Sequence, residues 1–358
     1  MLLLAYLQRE RTVKGQNDFV AFYTGGKLAG TPDLYSRTAN LATIKEILGL
    51  TLDGTTYIRP PFYAALYKPL AALRYQVAYG IFLLGTISSA LWFIIRFSKE
   101  CPDLPFLAAV GVPLLTPLCN GQDTPFLLVM LGASILLLRQ NKNFSAGVVL
   151  SLCSIKFHLF LFVVILLLVK KLWRVLAGGM CGTLVLTVLG LVVAGSDSIR
   201  QWIGVLRDPW IMPNPENSPN LHGLVLALHG DLRWELSLGA VVGLMFLWMT
   251  HQTDNFEFLL AVSLVCGLLT SFHTGIPDDI LLYPVFVLAL GSSANVLLRS
   301  LSGLVLLPIP YFAVFAGAPY SAVFPLLLVA WLIAAGLALQ KKSISVPPCS
   351  VKTLAAIS

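Results

Sequence analysis

Long, almost continuous apolar runs, separated by short polar connections, dominate the chain. The runs lack the strict alternation of a half-buried strand, so they predict helices that are apolar on most sides. A helix that crosses a membrane needs about 20 such residues, and the shorter runs predict tilted or partly re-entrant segments. We place eleven runs at residues 76–97, 103–118, 124–138, 144–156, 158–170, 174–195, 236–250, 256–272, 279–296, 300–316 and 320–339.

The composition supports this interpretation. Apolar residues make up 57% of the 358 residues and charged residues only 11%, whereas a soluble domain has about 25% charge. These values exclude an ordinary soluble enzyme and predict an all-α polytopic membrane protein with about eleven transmembrane helices. The net charge of +7 comes from scattered basic residues, so we expect no nucleic acid partner.

The positions of the basic residues predict the topology. They occupy alternate short connections, and the positive-inside rule places those connections in the cytoplasm of a cell-membrane protein. This assignment requires residues 144–170 to form a hairpin with Lys156 and His158 at its outer tip. The connections 8–75, 120–123, 196–235 and 271–279 then face outward and carry most of the unusual polar clusters. The basic residues concerned are Arg96, Lys99, Arg139, Lys142, Lys170, Lys171, Arg174, Arg299, Lys341 and Lys342.

Three regions follow from this layout. Residues 1–75 contain a truncated first helix, of which only Met1 to Leu7 remains, and the first extracytoplasmic segment with candidate catalytic residues. Residues 76–342 form the transmembrane bundle, including the outer loop 196–235. Residues 343–358 are a cytoplasmic tail.

Asp18 is the candidate base. It stands between Asn17 and Phe19 and precedes Phe22 and Tyr23, and a carboxylate flanked by aromatic rings near the membrane surface is suited to take a proton from an acceptor hydroxyl. A solvated loop aspartate or a helix cap is the simpler explanation of the spacing alone.

Two cations are candidate ligands for a phosphate. Arg59 precedes Pro60 and Pro61, which restrain the backbone to an extended form, and a guanidinium group matches phosphate geometry. A helix start with an arginine that reaches the membrane interface explains Arg59 equally well. Lys156 interrupts the apolar run 144–170, and a lysine there is costly unless it has an anionic ligand or a partner carboxylate.

The remaining candidates are polar residues of the outer connections. Gln122 follows Gly121 and offers a donor and an acceptor to a sugar hydroxyl, although a turn with a helix cap explains it slightly better. His273 and Asp279 could position an acceptor, bind a cation or cap a helix. Asn220 is a weaker candidate in the long outer loop.

Taken in chain order, the motifs resemble glycosyltransferase family 87, integral-membrane GT-C transferases that include polyprenyl-phosphate-mannose-dependent α-mannosyltransferases. The resemblance covers residues 16–290. It depends on Asn17-Asp18-Phe19 with Phe22-Tyr23, Pro32-x-Leu34-Tyr35, Arg59-Pro60-Pro61-Phe62, Gly121-Gln122, Ala146-Gly147, Lys156, Asn220 with Gly223, and Ser271-x-His273 with Asp279. Arg59 stands where the family usually has a tyrosine, Lys156-Phe157 replaces Lys-Pro, and Asp278-Asp279 replaces Tyr-Asp; these departures concern the identity of the sugar.

The resemblance implies a GT-C-like bundle whose extracytoplasmic loops form the active site. It implies transfer of a hexose, with mannose expected, from a polyprenyl-phosphate donor to a lipid or glycan hydroxyl with inversion. Asp18 would be the general base, and Arg59 and Lys156 would bind the donor phosphate. We expect no cofactor, with a divalent cation left open, and membrane lipid as a further partner. The expected substrate-binding residues are Tyr23, Gln122, His158, Asn220, His273 and Asp279.

Two other functions compete with this one. A lipid or glycan transporter would move its substrate without breaking the glycosyl-phosphate bond, and it would more naturally show two related halves, whereas the sequence contains no internal repeat. A catalytically silent homologue is the other alternative, because the first helix is short.

Overall fold

The computed structural model describes residues 9–50, 52, 55–207, 215–292 and 295–341. The truncated helix expected at Met1 to Leu7, Lys342 and the expected tail 343–358 lie outside the described residues. Short 3-10 helices cover Leu152–Phe160, Pro215–Asn217, Ile276–Leu281 and Tyr320–Ala322. The α-helices are α1 (Phe19–Leu28), α2 (Arg37–Leu48), α3 (Pro61–Ala71), α4 (Tyr75–Ser98), α5 (Leu104–Val110), α6 (Val112–Cys119), α7 (Pro125–Arg139), α8 (Asn143–Ser151), α9 (Leu161–Val169), α10 (Trp173–Ala194), α11 (Ser198–Val205), α12 (Leu221–Ala227), α13 (Leu232–Gln252), α14 (Phe256–Thr270), α15 (Leu282–Ser292), α16 (Val296–Leu304), α17 (Pro308–Ala316) and α18 (Val323–Gln340).

The predicted helical membrane architecture is present, but the count of about eleven spans is not confirmed. Among the described residues, five helical segments are long and apolar enough to cross a membrane, and a sixth is added if α16 and α17, bent by 52°, form one span. The five segments are Tyr75–Ser98, Asn143–Val169, Trp173–Ala194, Leu232–Gln252 and Tyr320–Gln340. The other apolar runs form helices that are shorter or broken.

The run 103–118 shows why the structure has fewer candidate spans than the hydropathy pattern predicts. It divides into α5 and α6 at Gly111, whose backbone is extended. A Cβ atom at this position would lie 2.1 Å from the hydroxyl of Tyr283, so the close approach of α15 requires a glycine here. Pro105 and Pro113 stand in the first turns of the two short helices, where their missing N–H groups cost no hydrogen bond.

Helix α14 lies at the centre of the bundle. Every residue from Phe256 to Leu269 is buried, which is the pattern of a helix surrounded by other helices. Its 15 residues give a length of about 22 Å, less than the ~30 Å thickness of a bilayer core. The predicted segment 256–272 is therefore a core helix that packs against its neighbours along its whole length.

Residues 143–169 return to the end of the bundle at which they begin. Just before the segment, Arg139 binds Glu257 at 2.7 Å, and just after it, Lys170 binds Asp254 at 3.0 Å. Both carboxylates lie at the start of α14, so the two ends of the segment lie close together. The length and composition of Asn143–Val169 also fit a single span, but these contacts describe a hairpin.

The tip of this hairpin lies at the other end of the bundle. Lys156 has non-helical angles (φ −131°, ψ 55°) where the chain turns within Leu152–Phe160, and it pairs with Asp278. Helix α8, the first arm of the hairpin, packs tightly on α10. Cβ atoms at Gly147 and Gly178 would each lie 2.0 Å from a carbonyl oxygen of the opposite helix. We call the end that contains Lys156 and Asp278 the site end.

Candidate active site

The site end encloses a cavity of about 530 Å³, which we call the reaction cavity. Seven parts of the chain meet around it: the starts of α1 and α7, the segment before α3, the hairpin tip, residues 217–219 of the outer loop, the loop before α15 and the end of α17. The charged or titratable residues on its wall are Asp18, Arg59, Lys156, His273 and Asp278, and Gln122 lies beside them.

Asp18 occupies the N-cap position of α1, but its side chain makes no capping hydrogen bond. Its carboxylate accepts a hydrogen bond from Nε2 of Gln122 instead, and its backbone N–H donates to the carbonyl of Asn120 at 3.0 Å. The side chain of Asp18 therefore does not cap α1. The carboxylate faces the reaction cavity.

The backbone around Asp18 is fixed by its neighbour. Nδ2 of Asn17 donates to the hydroxyl of Tyr79 at 3.0 Å and to the carbonyl of Cys119 at 3.2 Å. Gly121 has a φ of +62°, and a Cβ there would lie 2.3 Å from Oδ1 of Asn17. The glycine is thus required twice, for its left-handed backbone and for the close approach of the two loops.

Arg59 is held in a similar way. Its carbonyl accepts a hydrogen bond from the Tyr35 hydroxyl at 2.8 Å, and the following Pro60 and Pro61 begin α3. The side chain is only 7% exposed, so it does not reach out to the membrane interface. Among the described residues its buried Nε has no hydrogen-bond partner, while the residue lines the reaction cavity.

The partner of Arg59 is a residue that the sequence did not single out. Nη2 of Arg59 donates to Oδ1 of Asp123 at 2.7 Å, and Asp123 is 0% exposed. The same nitrogen lies 3.4 Å from Oε1 of Gln122. One signal could have identified Asp123: it is an acidic residue that directly follows the candidate residue Gln122. The sequence could not distinguish it from a turn aspartate.

Lys156 is the second buried cation. It pairs with Asp278, whose other oxygen accepts a hydrogen bond from the backbone N–H of Gly275 at 3.0 Å. Asp278 is thus both the partner carboxylate expected for Lys156 and a helix cap. Asp279, expected to bind substrate, does not line the cavity: it is 0% exposed and lies beside Tyr311.

The other expected substrate-binding residues divide into two groups. His273 lines the reaction cavity, and His158 lines an adjoining cavity. Tyr23 and Asn220 are on neither wall. The Tyr23 hydroxyl donates to the carbonyl of Leu73 at 2.6 Å. Asn220 makes its hydrogen bonds within the protein, to Ser271, Thr274 and Gly223, so it holds the loop that carries His273.

The environment shifts the pKa values of these groups in different directions. Burial raises the pKa of Asp18, and the hydrogen bond from Gln122 and the charge of Arg59 oppose this rise. Burial also acts to raise the pKa of Asp278, but Lys156, His158 and the hydrogen bond from Gly275 together outweigh it, and the pKa is lowered. Burial lowers the pKa of His273 to about 4, so this imidazole is neutral near pH 7.

Within the described residues, no group of three or more His, Cys, Asp or Glu side chains is placed to hold a metal ion.

A series of adjoining cavities, lined mainly by apolar side chains, extends from the reaction cavity, and we call this series the path. An adjoining cavity of about 370 Å³ shares Ile58, Arg59 and His273 with it. A third cavity of about 260 Å³ shares Phe157 and Trp202 with the second. A fourth cavity, of about 730 Å³, lies between the hairpin and α10 and shares Phe157 with the third. Exposed apolar residues such as Met180 and Leu184 line the fourth cavity, so the path opens on the outer surface of the bundle.

Comparison with known proteins identifies a family. The sequence model of glycosyltransferase family 87 matches residues 57–272, which are 216 of the 358 residues. The matched range includes Arg59, Gln122 and Lys156, whereas Asp18 and Asp278 lie outside it. No curated protein and no solved structure matches the chain.

Proposed function

The chain belongs to glycosyltransferase family 87, and we propose that it transfers a hexose, with mannose as the expected sugar, from a polyprenyl-phosphate donor to a hydroxyl group of a lipid or glycan. The observation that carries this proposal is the shared cavity: the carboxylate of Asp18 and the guanidinium of Arg59 line one cavity, and a mainly apolar path continues from Arg59 to the surface of the bundle.

The proposed reaction is a single displacement. Asp18 takes the proton of the acceptor hydroxyl as its oxygen forms a bond to the anomeric carbon of the donor. The bond between that carbon and the phosphate oxygen breaks, and its electron pair leaves with polyprenyl phosphate. The attack comes from the face opposite the phosphate, so the configuration at the anomeric carbon is inverted.

The leaving phosphate gains negative charge, and two cations of the cavity wall are placed to stabilise it. Arg59 contributes its guanidinium group, whose Nη2 is fixed by Asp123. Lys156 contributes an ammonium group that Asp278 holds in place. Because each cation keeps a protein carboxylate as its partner, both side chains are held in position before the donor arrives.

The lipid part of the donor accounts for the path that leaves the reaction cavity. A polyprenyl chain is long and apolar, and the path runs from Arg59 past Phe157 and Trp202 to the surface of the bundle between the hairpin and α10. A water-soluble nucleotide sugar would make no use of it. This supports a lipid-linked donor and a GT-C type of enzyme.

The charge distribution supports an active site on the extracytoplasmic face of the cell membrane. Arg139 and Lys170, whose ion pairs lie at the start of α14, mark the end of the bundle opposite the reaction cavity. Basic residues close to membrane spans favour the cytoplasm. The reaction cavity then opens on the other side.

A transfer assay tests the proposal. Purified protein in liposomes is supplied with radiolabelled polyprenyl-phosphate mannose and a total membrane lipid extract, with Asp18→Asn as the matched inactive variant. We expect the wild type to label a lipid or glycan product and to release free polyprenyl phosphate, and the variant to do neither. Movement of intact donor across the bilayer without release of polyprenyl phosphate would identify a transporter and overturn the proposal.

A further inference from the structure

One wall of the reaction cavity carries no charge. It is formed by Asn217 in the outer loop, by Thr274 in the loop before α15, and by Val314 and Phe315 at the end of α17. Thr274 and Phe315 lie beyond residues 57–272, so the family match assigns them nothing. The polar groups of this wall are an amide and a hydroxyl, and its apolar part includes an aromatic ring.

The direction of the proposed reaction suggests which substrate this wall contacts. The adjoining cavity, which leads into the path for the lipid, meets the reaction cavity at Ile58, Arg59 and His273. Val314 and Phe315 line the reaction cavity and are not shared with the adjoining cavity. An acceptor that attacks opposite the leaving phosphate must approach from a part of the cavity away from the lipid path, and we assign that part to the wall with these two residues.

The polar side chains of the wall are oriented by contacts within the protein. Oδ1 of Asn217 accepts a hydrogen bond from the backbone N–H of Ala318 at 3.1 Å, which leaves its Nδ2 group to donate to a ligand. Oγ1 of Thr274 accepts from Nδ2 of Asn220 at 2.6 Å, so the hydroxyl proton of Thr274 is available in the same way. Both groups match the oxygen atoms of a polyol.

Phe315 completes the wall with an apolar surface. Its side chain is 50% exposed although it lines the cavity, so it stands at the rim, where an entering molecule meets it first. A sugar ring has an apolar face of C–H groups, which packs on an aromatic ring, while its hydroxyl groups reach the polar side chains. An anionic headgroup would find no cation on this wall.

We propose that Asn217, Thr274 and Phe315 form the acceptor site and that it binds a neutral sugar unit. The proposal rests on the proposed transferase function. The acceptor sugar packs on Phe315, receives hydrogen bonds from Asn217 and Thr274, and presents one hydroxyl to Asp18. This wall therefore determines the acceptor, whereas the charged wall binds the donor phosphate.

The test uses full-length protein in liposomes with radiolabelled polyprenyl-phosphate mannose and two acceptor probes, octyl α-mannoside as a neutral sugar and phosphatidylinositol as an anionic headgroup. The variants are Phe315→Ala, Phe315→Tyr and the control Phe312→Ala. Phe312 lies on the same helix, is 64% exposed and does not line the cavity. Release of mannose to water in the absence of acceptor reports separately on use of the donor.

We expect octyl α-mannoside to be the better acceptor. Phe315→Ala should raise its KM about tenfold, the scale for loss of one aromatic stacking contact. Phe315→Tyr should keep the wild-type KM, and the control Phe312→Ala should keep both the wild-type KM and the wild-type rate of mannose release to water. A wild-type KM in Phe315→Ala, or a preference for phosphatidylinositol, would overturn the acceptor site alone, whereas a wild type that never cleaves the donor would overturn the transferase function itself.

Discussion

The side-chain amide of Gln122 joins Asp18 to Arg59. Its Nε2 donates to the carboxylate of Asp18, and its Oε1 lies 3.4 Å from Nη2 of Arg59. The contact of Gln122 to a sugar hydroxyl stays a prediction, and both ends of its amide also have partners within the protein. We infer that Gln122 orients the proposed base and lowers its proton affinity.

Replacement of Gln122 by alanine should therefore move the pH profile of the reaction. The hydrogen bond from Gln122 lowers the pKa of Asp18, so its loss lets burial raise that pKa further. Only the ionised carboxylate accepts a proton, so the acid limb of kcat/KM should shift to higher pH. The same measurement on Gln76→Ala is the control, since Gln76 is exposed and donates a hydrogen bond to the carbonyl of Lys14. An unshifted acid limb in Gln122→Ala would show that another group sets it.

Asp18 itself should be the most sensitive position. Asp18→Asn keeps the shape of the side chain and can still bond Gln122, but it cannot accept a proton. We expect turnover to fall about 10²-fold to 10⁴-fold, the range for loss of general base catalysis, while binding of the radiolabelled donor is retained. Asp33→Asn, at an exposed turn in the same segment, should be unaffected. Near-normal turnover in Asp18→Asn with an inactive Asp278→Asn would move the base to the later loop.

The candidate site shows which parts of a membrane enzyme can be predicted from sequence. Asp18, Arg59 and Lys156 are ionisable residues in or beside apolar segments, where their cost makes them conspicuous, and the structure brings all three to one cavity. Asp123 pairs with Arg59 but is not conspicuous in the sequence, because it lies just before Thr124, the N-cap of α7, where an aspartate is ordinary. Only the tertiary fold shows that its partner is Arg59.

The sequence predicts the helical membrane architecture, but it does not predict the number of transmembrane helices. Hydropathy counts apolar residues, but it does not show whether a run crosses the bilayer or packs inside the protein. Helix α14 is as apolar as a span and yet is enclosed by other helices. The division of 103–118 depends on contact between Gly111 and Tyr283, which are 172 positions apart in the sequence. No local pattern contains that information.

Cysteine labelling should establish which end of the bundle faces outward. We introduce single cysteines at Phe315, on the rim of the reaction cavity, and at Lys142, an exposed residue beside the other end. The background has the exposed Cys181 and the C-terminal Cys349 replaced by alanine. An impermeant thiol reagent applied to intact cells should label the cysteine at 315 and leave the one at 142 unlabelled. The reverse result would place the reaction cavity in the cytoplasm.

The buried pair of Lys156 and Asp278 allows stability to be separated from catalysis. Lys156→Met leaves the carboxylate of Asp278 buried without its cation, which should cost about 3 to 5 kcal/mol of stability and lower the melting temperature in detergent. Adding Asp278→Asn removes the unpaired charge and keeps an oxygen for the backbone N–H of Gly275, so the double variant should regain most of the lost melting temperature. Transfer activity should stay low in both variants, because the proposed donor phosphate has still lost its ammonium partner. A double variant with restored activity would mean that Lys156 serves only to neutralise Asp278, and that Arg59 binds the phosphate alone.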